Sequence, residues 1–168
     1  VLAAYGIPVT DDQLCHSPAE AVKAAAAAGY PVVVKACSPE LLHKSDLGLV
    51  RVGVGSAAAV RRTYADLVDR SPVDLDGVLV CPTAAAGVEC VVGVSQDPLF
   101  GPVVMFGLGG VLVEVLGDVT FRVPPFDRAE AGRMIREVRG FPLLTGARGR
   151  PKADLRALVD VIMKVQRL

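Results

Sequence analysis

Between Ser17 and Ala36 the chain writes out a whole helix and then a whole strand with one residue between them: SPAEAVKAAAAAG, Tyr30, PVVVKA. Ser17 reads as the N-cap, Pro18 stands in the first turn, Glu20 completes a capping box, and Gly29 ends the helix. The valine run that follows leaves no polar face, so it reads as a buried strand. Upstream, Val1 to Tyr5 reads as helix closed by Gly6, with IPVT as a short strand. Downstream, GLVRVGV (48–54) is a strand, and Ser56 opens a helix with Val60, Tyr64, Leu67 and Val68 on one face. DGVLVCP (76–82) is a further strand. The order β-α-β-β-α-β is that of a small split βαβ lobe.

From Gly87 the texture changes. GVECVVGVSQD, GPVVMFGLGG and VLVEVLGDVTFRV are valine-rich strands broken by glycines, which points to an antiparallel sheet of hairpins. Two helices follow. Asp127 and Glu130 cap the first, which buries Ala131, Met134, Ile135 and Val138; the second presents Leu155, Leu158, Val159, Ile162 and Val165. The fold class is α+β, with an incoming helix and strand over 1–17, a small lobe over 18–83 and a second lobe over 84–168. The chain starts with Val inside a helical pattern and ends on an apolar-periodic segment without a stop signal. Both ends are therefore expected to be cuts in something longer.

Eighteen basic side chains balance eighteen acidic ones, and only eight aromatics are present. With no basic stripe to follow a phosphate backbone, nucleic acid is not expected as a partner. The longest uncharged run, Pro98 to Val113, is broken by four glycines and falls short of the ~20 apolar residues of a membrane span. Cys15, Cys37, Cys81 and Cys90 lack C-x-x-C spacing and lie in apolar surroundings, which reads as free thiols in a reducing compartment, the cytoplasm.

Several residues stand out chemically. Lys35 closes an otherwise apolar run, so its ammonium must reach an anion or pair with a carboxylate. His43, Lys44, Ser45 and Asp46 form a polar loop between two strands. A neutral imidazole there can act as a nucleophile with Asp46 fixing its tautomer, and an exposed polar loop is the plain alternative. FGLGG (106–110) offers backbone amides to a phosphate or simply turns the chain. Glu89, Glu114 and Asp118 can supply oxygens to Mg²⁺, while pairing with Arg122 across a hairpin is the other reading for Glu114 and Asp118. Arg148 and Arg150 read as solvated loop charges.

Taken in order, AGYPVVVKACSPELLHKSDLGLVRVGV, GVECVVGVSQDPLFGPVVMFGLGGVLVEVLGDVTFRVPPFD and FPLLTGARGRP resemble the ATP-grasp domain of the NDP-forming (ADP-forming) acyl-CoA synthetases. These acetate–CoA ligases are relatives of succinyl-CoA synthetase, and the resemblance runs over essentially the whole chain. It implies an ATP-grasp fold that binds ATP or ADP with Mg²⁺, and phosphoryl transfer through histidines. Lys35 would contact the nucleotide phosphates, Val80, Cys81 and Pro82 would form a hinge reading the adenine edge, and Glu89 would bind the ribose. His43 would relay the phosphoryl group in a loop shaped by Ser45, Asp46 and Gly48, and Glu114 and Asp118 would be metal ligands. The partners implied are CoA with a CoA-binding, phosphohistidine-bearing domain or subunit, and a small carboxylic acid. Two departures stand out: Leu49 where the family has a second glycine, and Cys81 where it has glutamine. The family's Ile-Asn-Pro metal strand is not among these 168 residues, so they alone are expected not to make acyl-CoA. A ligand-binding regulatory module, of the kind fused to GNAT protein acetyltransferases, is the alternative function.

Overall fold

The capped alanine-rich segment forms helix α1, Pro18–Ala28, in the computed structural model of the chain. The structure describes residues 1–41, 44, 45, 47–109, 113, 116–149 and 151–168, without the side chain of 148. Ser17 Oγ accepts from the Glu20 amide at 3.2 Å. The return bond differs from a reciprocal box: Glu20 Oε2 accepts from the His16 amide at 2.8 Å, one residue ahead of the cap. Gly29 ends the helix in the left-handed region at φ 83°.

The first unit, Thr10–Ala85, adds strands β1 (Gln13–Cys15), β2 (Val32–Cys37), β3 (Val50–Val54) and β4 (Gly77–Pro82), with helix α2 (Ala57–Arg70) between β3 and β4. The sheet order is β1-β4-β2-β3 and every pairing is antiparallel. β1 and β2 therefore run parallel on either side of β4, joined by α1, which is the split βαβ arrangement. Strand alternation puts Val32, Val34 and Ala36 of β2, with Val78 and Val80 of β4, into a core with Ala21, Ala25, Val60 and Leu67. β2 is not buried on both faces as its valines suggest; Val33, Lys35 and Cys37 stay half-exposed. On α2, Tyr64 is half-buried and Val68 faces solvent.

The second unit joins Val1–Val9 to Ala86–Leu168. Its antiparallel sheet runs β5 (Cys90–Asp97), β6 (Gly101–Leu108), β7 (Val119–Arg122). Asp97 Oδ1 closes the first hairpin by accepting from the amides of Leu99 and Phe100 at 2.8 and 2.9 Å. Helices α3 (Arg128–Glu137), α4 (Phe141–Leu144) and α5 (Leu155–Val165) follow. Val104, Phe106 and Leu108 form the core with Met134, Ile135, Leu144, Ile162 and the distant Ile7. Lys164 Nζ donates to the Gly6 carbonyl at 2.6 Å, tying the N-terminal stretch to α5.

Three expectations change. IPVT is irregular, because Ile7 is taken into the second core and Pro8 has no N–H for a ladder. Of the residues expected in a strand before β7, Val113 and Leu116 are helical, and Gly117, at φ 56°, donates to the Val113 carbonyl at 3.1 Å. A left-handed glycine ends a helical turn there, overriding the β preference of Val113. The short α4 escapes notice because four residues carry no readable period, yet its Leu144 is fully buried.

Candidate functional site

In the first unit one face of the sheet packs on the helices and the other carries polar groups. Lys35 lies on that open face, two residues short of the end of β2, opposite Leu79 of β4 and Val50 of β3. It does not end the strand, but β3 begins beside it and the 38–49 loop springs from just beyond. Cys81 is on the same face as Lys35, opposite Val33, and is 6% exposed; Val80 points into the core and Pro82 is half-buried.

Lys35 Nζ donates to Asp12 Oδ2 at 3.1 Å. The pair sits about two-thirds buried, with side-chain exposures of 33% and 28%. The other carboxylate oxygen, Asp12 Oδ1, is buried without a hydrogen-bond partner. Burial alone raises the Asp12 pKa, but the Thr10, Cys81 and Lys35 side chains outweigh it and leave the carboxyl below its ordinary value. Burial likewise works against the Lys35 charge, and Asp12 with Cys81 more than offsets it, so Lys35 titrates above the ordinary lysine value. The Cys81 thiol is pushed up, first by burial and then by Asp12, and is held neutral.

His43 and Asp46 lie outside the described residues. The rest of their loop is closed tightly. Gly48, at φ 65°, donates to the Ser45 carbonyl at 3.0 Å, and Leu49 N–H donates to the Lys44 carbonyl at 2.9 Å. Ser45 is exposed. Leu49, the departure from glycine, is fully buried in the first core, and its carbonyl accepts from Ala36 N–H at 3.0 Å. A leucine at this place anchors the loop's exit rather than loosening it. Arg51 adds a strut: its guanidinium donates to the Gly48 carbonyl and, at 2.9 Å, to Asp66 Oδ2 on α2. Neither Asp12 nor Arg51 stands out in the sequence, because their partners are set by strand order rather than by local spacing.

In the second unit Glu89 is exposed, and its carbonyl accepts from Gly109 N–H at 2.7 Å. A Cβ on Gly109 would come within 3.0 Å of Glu89, so glycine permits this close approach. The Gly109 amide is thus engaged by protein and Gly107 is part of β6, so neither is free to cradle a phosphate; Gly110 of the same FGLGG stretch lies outside the described residues. Glu114 and Arg150 lie outside the described residues, as does the side chain of Arg148. Asp118 does not pair with Arg122. Its two oxygens accept from the amides of Arg139 and Gly140, each at 2.8 Å, at the end of α3. Arg122 turns instead to Glu130 and Glu137, each at 2.6 Å. Among the described residues no group of three or more His, Cys, Asp or Glu could hold a metal ion. Asp118, committed to two amides, does not by itself fit Mg²⁺, which needs several hard oxygens in an octahedron. All four cysteines are free, and no described helix is long and apolar enough to cross a membrane.

Residues 1–168 match the family model of an ATP-grasp domain. The chain is 42% identical over 173 residues to the beta subunit of acetate–CoA ligase (ADP-forming) II of Pyrococcus furiosus, covering all of this chain and 73% of that subunit. This chain is an ATP-grasp domain of the ADP-forming acetate–CoA ligase family. Solved structures of acetyl-coenzyme A synthetase 1 from Ca. Korarchaeum cryptofilum agree with the assignment. One, in complex with coenzyme A, Ca-AMPCP and HgCl⁺, superposes with a TM-score of 0.94 at 43% identity, covering 99% of this chain and 75% of that one. Another, with coenzyme A and Mg-AMPPCP and its phosphohistidine segment pointing towards the nucleotide-binding site, gives 0.85 at 43% identity, covering 99% and 73%. The ligase domain and its relatives thus share the ATP-grasp architecture over nearly its full length. The acetyltransferase-module alternative finds no support in these matches.

Proposed function

We propose that this ATP-grasp domain is the nucleotide-binding portion of an ADP-forming acid–CoA ligase, interconverting acyl-CoA, ADP and phosphate with acid, CoA and ATP. The match to a synthetase solved with coenzyme A and a nucleotide analogue carries this reading, at high identity and over the whole chain. Lys35, on the open face of the first sheet, is the phosphate contact in this reading. Val80, Cys81 and Pro82 lie on the β4 stretch just ahead of the unit boundary at Ala85, where backbone groups can read an adenine edge. Glu89 takes the ribose hydroxyls with its exposed carboxylate. Glu114 and Asp118 are the metal candidates in this reading, each Asp118 oxygen keeping a lone pair beside its amide contact. The partner is a CoA-binding domain or subunit that carries its own phosphohistidine, and the compartment is the cytoplasm.

His43 is the relay. Its imidazole nitrogen attacks the phosphorus of the mobile phosphohistidine, forming one P–N bond as the other breaks. An ADP terminal oxygen then displaces His43 and gives ATP. Ser45, Asp46 and Gly48 shape the loop, and the buried Leu49 holds its exit.

The test separates binding from chemistry in the full-length ligase. Lys35→Ala should weaken ATP binding by about ten- to a hundredfold, the scale of one charged hydrogen bond. His43→Ala should leave ATP binding within about twofold and abolish acyl-CoA formation, because a nucleophile acts only in the chemical step. Calorimetry with ATP and a coupled assay with acetate and CoA read the two effects. Equal loss of binding in both variants would sink the division of roles.

A further inference from the structure

We propose that Asp12 is a positioning residue for the Lys35 ammonium, setting where the charge stands on the open face of the first sheet before a nucleotide arrives. The inference rests on the reading of Lys35 as the phosphate contact. Asp12 precedes β1 and Lys35 stands on β2, with β4 between them. Neighbouring strands lie about 4.8 Å apart, so the two backbones are separated by roughly two such spacings. A lysine stem must lie across β4, over the Leu79–Cys81 stretch, to make a 3.1 Å contact with Asp12. That contact fixes the direction of a side chain that would otherwise sample many rotamers.

Two further observations fit positioning better than an incidental surface pair. Asp12 Oδ1 is buried with no partner at full hydrogen-bond geometry, with the Thr10 and Cys81 side chains alongside the carboxylate, a setting more enclosed than that of an ordinary surface ion pair. The ammonium has three donors. One goes to Asp12 and the Cys81 thiol lies beside the ammonium, which leaves at least one donor for a phosphate oxygen, so the carboxylate and a nucleotide can hold Lys35 together. Cys81, buried on the same face of β4, stands beside both charged groups as a small thiol.

The experiment uses the full-length ligase with ATP as the probe. Asp12→Asn should raise the KM for ATP about tenfold while kcat stays within about twofold, the mark of a lost ground-state contact. Asp12→Glu, which keeps the charge but displaces the ammonium, should fall between wild type and Asp12→Asn; it also serves if Asp12→Asn folds poorly. In a Lys35→Ala background Asp12→Asn should have no further effect on ATP binding. Tighter ATP binding by Asp12→Asn would overturn the proposal, because the carboxylate would then compete with phosphate. So would an undiminished effect of Asp12→Asn when Lys35 is already gone, or an Asp12→Glu variant no better than Asp12→Asn. If Lys35→Ala alone leaves ATP binding unchanged, it is the phosphate role of Lys35 that fails.

Discussion

Asp12, Asp66, Asp97 and Glu130 each titrate below the ordinary carboxylate value, for different local reasons. In Asp12 the neighbouring side chains outweigh burial; in Asp66 the leading cause is Arg70, with Arg51 adding to it. Asp97 is lowered first by the Phe100 amide and then by that of Leu99, and Glu130 by Arg133 and then Arg122. A depressed carboxyl stabilises the fold above the unfolded pKa of about 4 and stops doing so as pH falls through its folded value. Lys35, raised, keeps its contribution up to and beyond pH of about 10. The urea midpoint of the chain should therefore be nearly level between pH 5 and 8 on account of these groups and drop steeply below about pH 4. A midpoint unchanged at pH 3 would mean that these contacts do not persist in solution.

At the scale of elements, Gly77 governs how β1 joins the sheet. It pairs with Cys37 at the start of β4, and a Cβ there would come within 2.7 Å of the Cys15 carbonyl and 2.9 Å of Leu14 Cδ1. Backbone cannot retreat as a flexible side chain can, so Gly77→Ala should cost about 1–3 kcal/mol, the usual scale of overpacking, chiefly by loosening the three-residue β1. Chemical denaturation measures the cost; a variant as stable as wild type would show that β1 is not held as described. The elements with complete local punctuation were legible from residues alone. Ser17 and Gly29 bracket α1, Asp127 caps α3 by accepting from Glu130 N–H at 2.7 Å, and β5 and β6 pair antiparallel in an unbroken register. What escaped was decided at long range. Ile7 leaves the strand pattern for a core more than 90 residues away in sequence, as its packing with Val104 shows. Asp12 finds Lys35 only because β4 is inserted between their strands, and Asp118 turns to the amides after α3 rather than to Arg122. The family was legible through the order of segments along the chain, while each alone is ambiguous.

For the whole molecule, the path of the chain matters as much as its contacts. It leaves one unit at Val9 and returns to it at Ala86, so Thr10–Ala85 is uninterrupted and the remainder is made of two pieces. The continuous unit has its own core, both helices capped at their N-termini, and all four strands of its sheet. Residues 10–85 expressed alone should therefore unfold cooperatively in urea, with a single transition seen by circular dichroism, as small two-state domains do. A broad, non-cooperative loss of signal would mean that this core needs the rest of the chain. Val9, Thr10, Ala85 and Ala86 are all exposed, so both junctions can be cut and rejoined without opening either core. Genetically, Asp12, Lys35 and residues 43–48 form a cassette: two crossovers at its ends exchange them as a block between relatives, and only a crossover between residues 12 and 35 parts Asp12 from Lys35.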